Sequence, residues 1–253
     1  MKNFMESLAR RAGVPLLIGS IAVENAGKPD ESWFNGAFVV TPDGGLQADY
    51  YAKRQLVPFG EFVPLRPVLG WLSKFVPIGG DFSRGADSAP ALIPLRGEGV
   101  VVGPLICYED IYPQLARSSA LATSSILVVL TNNGWFGEGG AAFQHAAHSV
   151  LRAVETRRPL LRCGNGGWSG WIDEYGSVRA TLTNKDGRIY FRGQQTLEVK
   201  RDSRWIGQYT FYTEYGDWFV LVCAVLAGFG AFSLQAAGGT VIAERTAAGD
   251  VAA

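Results

Sequence analysis

Three side chains in this sequence have the types needed for nucleophilic chemistry: Cys107, Lys53 and Glu61. Cys107 follows the apolar run Val100-Val101-Val102-Gly103-Pro104-Leu105-Ile106 and precedes Tyr108, Glu109 and Asp110. A buried strand that ends in polar residues is where α/β proteins hold reactive groups rigidly. A thiol attacks as its thiolate, which at neutral pH needs access and a neighbouring cation or base. Lys53, on a strand-like segment with Tyr50, Tyr51 and Leu56, supplies the cation if the sheet brings it close. Glu61 lies among apolar neighbours in Pro58-Phe59-Gly60-Glu61-Phe62, where a carboxylate has to be paired or perturbed. Glu109, two residues beyond Cys107, points to the same strand face if extended geometry continues. Cys163 and Cys223 lack such surroundings and read as structural. His145 and His148 show no third metal ligand and read as ordinary helix-surface residues, so no metal site is expected.

The elements that must position these residues follow from periodicity and turn chemistry. Residues 2–12 form an amphipathic helix stopped by Gly13 and Pro15. Strands are expected at 15–23 and 33–41, with Pro42-Asp43-Gly44-Gly45 as a hairpin turn into the segment carrying Lys53. From Phe62 to Gly85 the chain holds Trp71, Phe75, Phe82, Pro64, Pro67, Pro77 and Gly79-Gly80 with no clean period. It reads equally as a packed loop or as a mobile apolar lid over a site. Strand 99–109, helix 111–123, strand 125–131, helix 141–157 and a strand from 159 through 173 then alternate. That order argues for parallel pairing and an α/β architecture. In helix 141–157 the apolar face is read as Phe143, Ala147, Val150, Leu151 and Val154.

Composition limits the function classes. The 253 residues carry 23 basic and 23 acidic side chains, so no positive footprint argues for nucleic acid. Three widely spaced cysteines exclude a disulfide framework and a zinc spacing. Residues 1–14 are amphipathic and lack the pattern of a signal peptide. No charged residue occurs from Trp218 to Ala243, and the apolar core Trp218–Leu234 is long enough to span a bilayer. The expected organisation is a domain over 1–204, a juxtamembrane segment at 205–217, a transmembrane helix at 218–238 and a tail at 239–253. Lys200, Arg201 and Arg204 before the span, against Arg245 after it, lean toward a cytoplasmic globular side.

Several segments together resemble one family. Lys53 with Pro58-Phe59-Gly60-Glu61-Phe62-Val63-Pro64, Ile106-Cys107-Tyr108-Glu109, Thr131-Asn132-Asn133-Gly134-Trp135-Phe136-Gly137 and Gln144-His145 are similar to the apolipoprotein N-acyltransferases. These form the membrane branch of the nitrilase, or carbon–nitrogen hydrolase, superfamily. The resemblance implies an α-β-β-α sandwich, here N-terminally truncated and followed by one transmembrane helix. It implies Cys107 as nucleophile, Lys53 as oxyanion stabiliser with the Tyr108 backbone N–H, and Glu61 as the residue that orients the site. Tyr108, Glu109, Trp135, Trp71 and Phe75 are the substrate-binding candidates it implies, and no cofactor is expected. A phospholipid would be the acyl donor and a diacylglyceryl-cysteine apolipoprotein the acceptor. The setting would be a bacterial inner membrane, multi-pass at full length, with the catalytic domain on the periplasmic side.

The sequence departs from the family pattern at three places. Asn133 stands where an aspartate is usual, and Cys163-Gly164-Asn165-Gly166-Gly167-Trp168 is unusually rich in glycine. The general-base glutamate of the family belongs to a Pro-Glu motif in a strand before the first helix, and none of Glu6, Glu24 and Glu31 is expected to replace it. The chain therefore reads as the C-terminal portion of such an enzyme. The alternatives are a nitrilase-type amidohydrolase using the same Cys107 and Lys53, or an inactive membrane-tethered remnant.

Overall fold

The computed structural model describes residues 2–71, 81–86, 91–94 and 99–249, excepting the side chains of 91–94, 99 and 236–249. Phe75, Pro77 and Gly79-Gly80 lie outside the described residues. Residues through Glu214 form one compact unit and Tyr215 onward a second. The segment 205–214, read as juxtamembrane, belongs to the first of these.

In the first unit helix α1 (Lys2–Ala12) precedes an antiparallel sheet of β1 (Leu16–Glu24), β2 (Ser32–Thr41) and β3 (Gly45–Ala52). A four-residue helix α2 (Arg66–Leu69) follows, with Pro67 in its first turn, where the missing N–H is tolerated. The second sheet has six strands in sequence order: β4 (Ala91–Pro94), β5 (Gly99–Ile106), β6 (Ile126–Asn132), β7 (Leu160–Asn165), β8 (Gly170–Ile172) and β9 (Val178–Thr181). Its centre, β5-β6-β7, is parallel, with Val102 opposite Ile126 and Leu127 opposite Leu160. Helices α3 (Pro113–Leu121) and α4 (Ala141–Thr156) make the crossovers.

The layers are α1, the three-stranded sheet, the six-stranded sheet, and α3 with α4. Strand β2 faces β5 and β1 faces β6, while α3 lies on β5 and α4 on β7 and β8. Leu105, Leu115, Ala116, Leu127, Val129, Leu160 and Ile172 fill the space between the second sheet and its helices. Strand β6 is apolar on both faces because it is covered on both.

Three expectations are corrected. The strand read as running from 159 through 173 breaks at Gly166, which takes φ 60°, and returns as the antiparallel β8. Strand β5 stops at Ile106, and residues 107–111 form a 3₁₀ turn. Helix α4 buries Ala142, Ala146, Ser149, Arg152, Ala153 and Thr156, while Phe143, Ala147 and Leu151 are exposed. Small side chains let the helix approach the sheet closely, and its polar residues are drawn in by partners described below.

The segment entering the second unit is fastened by arginines to main-chain carbonyls. Arg158, buried, donates to the carbonyls of Ser124, Trp205 and Gln208, and Arg117 donates to those of Thr213 and Glu214. In the second unit, helix α5 (Trp218–Gly249) contains an 18-residue stretch, Trp218–Gln235, with mean hydropathy 1.9 and none of it buried. Among the described residues it is the one helix long and apolar enough to cross a membrane.

Candidate active site

Cys107 is the first residue after β5 and has φ 54°, the left-handed region that non-glycine residues rarely adopt. Such a backbone costs about 1–3 kcal/mol and is retained where the surroundings enforce it. A sharp turn at the end of a strand lifts a side chain out of the sheet, the geometry by which α/β-hydrolases present a nucleophile. The thiol is partly exposed and free.

Glu109 enforces the turn. Its side chain is fully buried, so extended geometry does not continue past Ile106 and Glu109 does not share a strand face with Cys107. One carboxylate oxygen accepts from the Arg54 N–H at 2.6 Å and the Gln55 N–H at 3.0 Å. The other accepts from the Ile106 N–H at 2.8 Å and the Tyr51 hydroxyl at 2.9 Å. The expected contact with substrate is thereby corrected, because the carboxylate is sealed inside and saturated with donors. Burial first, and then the Glu109 charge, push the Tyr51 hydroxyl far above its ordinary pKa, so it stays a donor. Glu109 therefore ties the segment following Lys53 to the residue preceding Cys107.

Lys53 is 1% exposed. Its Nζ donates to both oxygens of Glu61, at 2.8 and 2.9 Å. Glu61 also accepts from Asn35 Nδ2 at 2.6 Å and from the Val57 N–H at 2.8 Å. A buried ammonium needs such a partner, since an unpaired charge costs several kcal/mol. The loop holding Glu61 is tight, with Phe59 at φ 61° and its N–H on the Phe62 carbonyl. The far end of the 62–85 segment returns to the same place: the Phe82 N–H meets the Glu61 carbonyl and the Gly85 N–H that of Lys53.

Lys53 Nζ lies 6.0 Å from the centroid of the Tyr108 ring. The Tyr108 hydroxyl shares a short hydrogen bond with that of Tyr112. Burial, then that hydrogen bond, push the Tyr108 phenol up to about 12, so it remains protonated. Among the other substrate candidates, Trp135 is 84% exposed and Trp71 is also exposed.

The three glutamates not expected to serve as base are engaged elsewhere. Glu6 accepts from the Leu46 N–H, Glu24 from the Tyr50 hydroxyl, and Glu31 from the Gly27 N–H and Trp33 Nε1. Among the described residues no group of three or more His, Cys, Asp or Glu could hold a metal ion.

Sequence reasoning missed Asn35, Tyr51, Asp110, Arg162 and the burial of His145. His145 is not a helix-surface residue: its side chain is 10% exposed, and Nε2 meets Asp110 Oδ1 at 3.0 Å. Asp110 is fully buried and is also bonded by Ser149 Oγ at 2.6 Å and by Arg162 Nη1. The i, i+4, i+7 spacing of His145, Ser149 and Arg152 was the available signal, a polar stripe on one helix face.

Burial alone would raise the Asp110 pKa, but His145, Arg162 and Ser149 together hold it below the usual carboxylate range. Asp173 is likewise lowered: burial opposes the shift, while the Ser177 and Tyr175 N–H groups and Arg179 outweigh it. A carboxyl whose folded pKa lies below its unfolded value stabilises the fold above the unfolded value. That contribution is lost as pH falls from about 4 through the folded pKa. The melting temperature is therefore expected to be flat from neutrality to about pH 5 and to fall below about pH 4, as a pH series of thermal melts checks.

The model of the carbon-nitrogen hydrolase family matches residues 1–198. The chain belongs to this family. The fold agrees: an amidase from Nesterenkonia sp. AN1 superposes with TM-score 0.51 at 18% identity, over 72% of this chain and 63% of that one. A carbon-nitrogen hydrolase from Helicobacter pylori G27 gives TM-score 0.51 at 18% identity, over 72% and 62%.

Several curated members of the family are similar in sequence. The apolipoprotein N-acyltransferase of Geobacter metallireducens is 37% identical over 221 residues, which are 87% of this chain and 39% of the relative. The apolipoprotein N-acyltransferase of Bdellovibrio bacteriovorus is 31% identical over 226 residues, 88% and 40%. That of Pseudomonas aeruginosa PAO1 is 36% identical over 175 residues, 69% and 33%. The chain thus spans about two-fifths of the length of the first of these relatives.

Proposed function

We propose that this domain belongs to an apolipoprotein N-acyltransferase that moves a fatty acyl chain from a phospholipid to a lipoprotein through a thioester on Cys107. The observation that carries the reading is the buried Lys53–Glu61 pair, tied through Glu109 to the strained turn bearing Cys107. Similarity to relatives of that name supports it, as does the apolar helix Trp218–Gln235.

Cys107 Sγ attacks an ester carbonyl of the phospholipid. Lys53 and the Tyr108 N–H stabilise the oxyanion, and Glu61 keeps the ammonium aimed. Collapse breaks the carbon–oxygen bond, leaving acyl-Cys107 and a lysophospholipid, whose alkoxide takes up a proton. The α-amine of a diacylglyceryl-cysteine then attacks the thioester, forming an amide and regenerating the thiol, a ping-pong scheme. The resemblance assigns the proton acceptor to a Pro-Glu glutamate, and we assign that task to none of Glu6, Glu24 and Glu31. Trp135, Trp71 and Phe75 would grip acyl chains, and Tyr108 would contact the substrate at its reacting carbonyl. We place a span at 218–238 in a bacterial cell membrane, multi-pass at full length, after a domain that extends to Glu214. The domain would face the periplasm, since helices elsewhere in a multi-pass protein override the sparse charges flanking this span.

Intact-mass analysis of the full-length protein, incubated with phospholipid in detergent, tests the reading. One acyl mass on Cys107 is expected, discharged by a diacylglyceryl-cysteine peptide and absent from Cys107→Ala. An adduct surviving that substitution overturns the assignment of the nucleophile. Free fatty acid without acylated peptide would identify a hydrolase, and no adduct an inactive remnant.

A further inference from the structure

Asp110 lies three residues beyond the nucleophile, near the end of the 3₁₀ turn Cys107–Ile111. Its side-chain partners among the described residues come to that turn from other elements. His145 and Ser149 come from α4, and Arg162 from β7. Arg152 Nη1 adds bonds to the Asp110 carbonyl at 3.2 Å and the Ile111 carbonyl at 3.0 Å. Glu109 anchors the start of the turn to the first sheet, and Asp110 anchors its end to the helix layer.

His145 has a defined orientation. Thr131 Oγ1 donates to Asn133 Oδ1 at 2.9 Å, which turns the Asn133 amide nitrogen toward His145 Nδ1 at 3.5 Å. An amide donor on Nδ1 leaves the ring proton on Nε2, where it is donated to Asp110. The imidazole thus bridges the nucleophile's turn and the loop carrying Trp135.

We propose that Asp110 and His145 are positioning residues for Cys107, holding the turn that presents its thiol through the His145 Nε2–Asp110 contact. The claim rests on Cys107 being the nucleophile, and it is independent of what Cys107 acylates.

The test reads the thiol itself. Full-length protein in detergent is treated with limiting iodoacetamide, and alkylation of Cys107 and of the exposed Cys163 is followed by peptide mass spectrometry. His145→Ala is expected to slow Cys107 about tenfold while Cys163 is unchanged. His145→Gln, whose amide nitrogen matches the Nε2 position, is expected to restore most of the rate. His145→Asn, which matches Nδ1 instead, is expected to behave like alanine and serves if the alanine variant does not fold. Unchanged Cys107 rates in both Ala and Asn variants overturn the proposal. So does equal loss in the Gln variant, because the donor to Asp110 is then irrelevant. Parallel changes at Cys163 overturn it as well, since they signal general loosening. None of these outcomes bears on the acyl-transfer reading, which fails if acyl-Cys107 is not formed or is not discharged to the peptide amine.

Discussion

Lys53→Met is expected to reduce acylation of Cys107 by at least about a thousandfold. Losing one oxyanion donor alone costs about a hundred- to a thousandfold. In the proposed mechanism the same ammonium would also assist the attacking thiol, so the two losses would compound. Methionine is close to isosteric, and Glu61 keeps the Asn35 amide and the Val57 N–H, so the loop retains two of its anchors. The orphaned carboxylate costs about 3 kcal/mol, which leaves the protein folded. Lys53→Arg is not expected to rescue, because a planar guanidinium does not fit a site 1% exposed and shaped for an ammonium. The rate of acyl-Cys107 formation by intact mass, with a thermal melt on the same sample, checks this. Acylation within about tenfold of the parent would remove Lys53 from the mechanism.

The second large effect is on the fold. Glu109→Gln turns one acceptor oxygen into an NH2 facing a set made entirely of donors, the N–H groups of Arg54, Gln55 and Ile106 and the Tyr51 hydroxyl. Breaking a buried, saturated charged group costs about 3–5 kcal/mol. At about 2–4 °C per kcal/mol for a chain of this size, the melting temperature should fall by roughly 10 °C. Glu109→Ala should fall at least as far, since three backbone N–H groups then lose their acceptor. A substrate-contacting Glu109 would behave differently, raising KM with an unchanged melt. A Tm within about 2 °C of the parent for both variants would contradict the structural assignment.

These expectations show where sequence reading succeeds. The helix at 2–12 and the alternation of strands and helices after residue 99 follow from local signals. Asp173 takes the N–H groups of Tyr175 and Ser177, the turn chemistry that its type and position imply. The parallel pairing of β5, β6 and β7 follows from the crossover helices. Reading fails where a local rule is overridden from a distance. Phe143 and Leu151 form a plausible apolar face, yet α4 turns its alanines and its His145–Ser149–Arg152 stripe inward. Asp110 and the sheet determine the helix's rotation, and neither lies within the helix's own window.

The sequence by itself determined that Cys107, Lys53 and Glu61 were the groups with chemistry to offer. It also marked the apolar stretch beginning at Trp218 as long enough to span a bilayer. Residue type, hydropathy and turn composition are properties of short segments. Only the tertiary structure decided what those groups face. Asn35 meets Glu61, Tyr51 meets Glu109, and Arg162 meets Asp110, pairs separated by 26, 58 and 52 residues. Sheet register and layer packing set such meetings, and no local period encodes them. The same holds for the left-handed backbone at Cys107: a strand pattern predicts continuation past Ile106, whereas Glu109 and Asp110, held from opposite layers, bend the chain there.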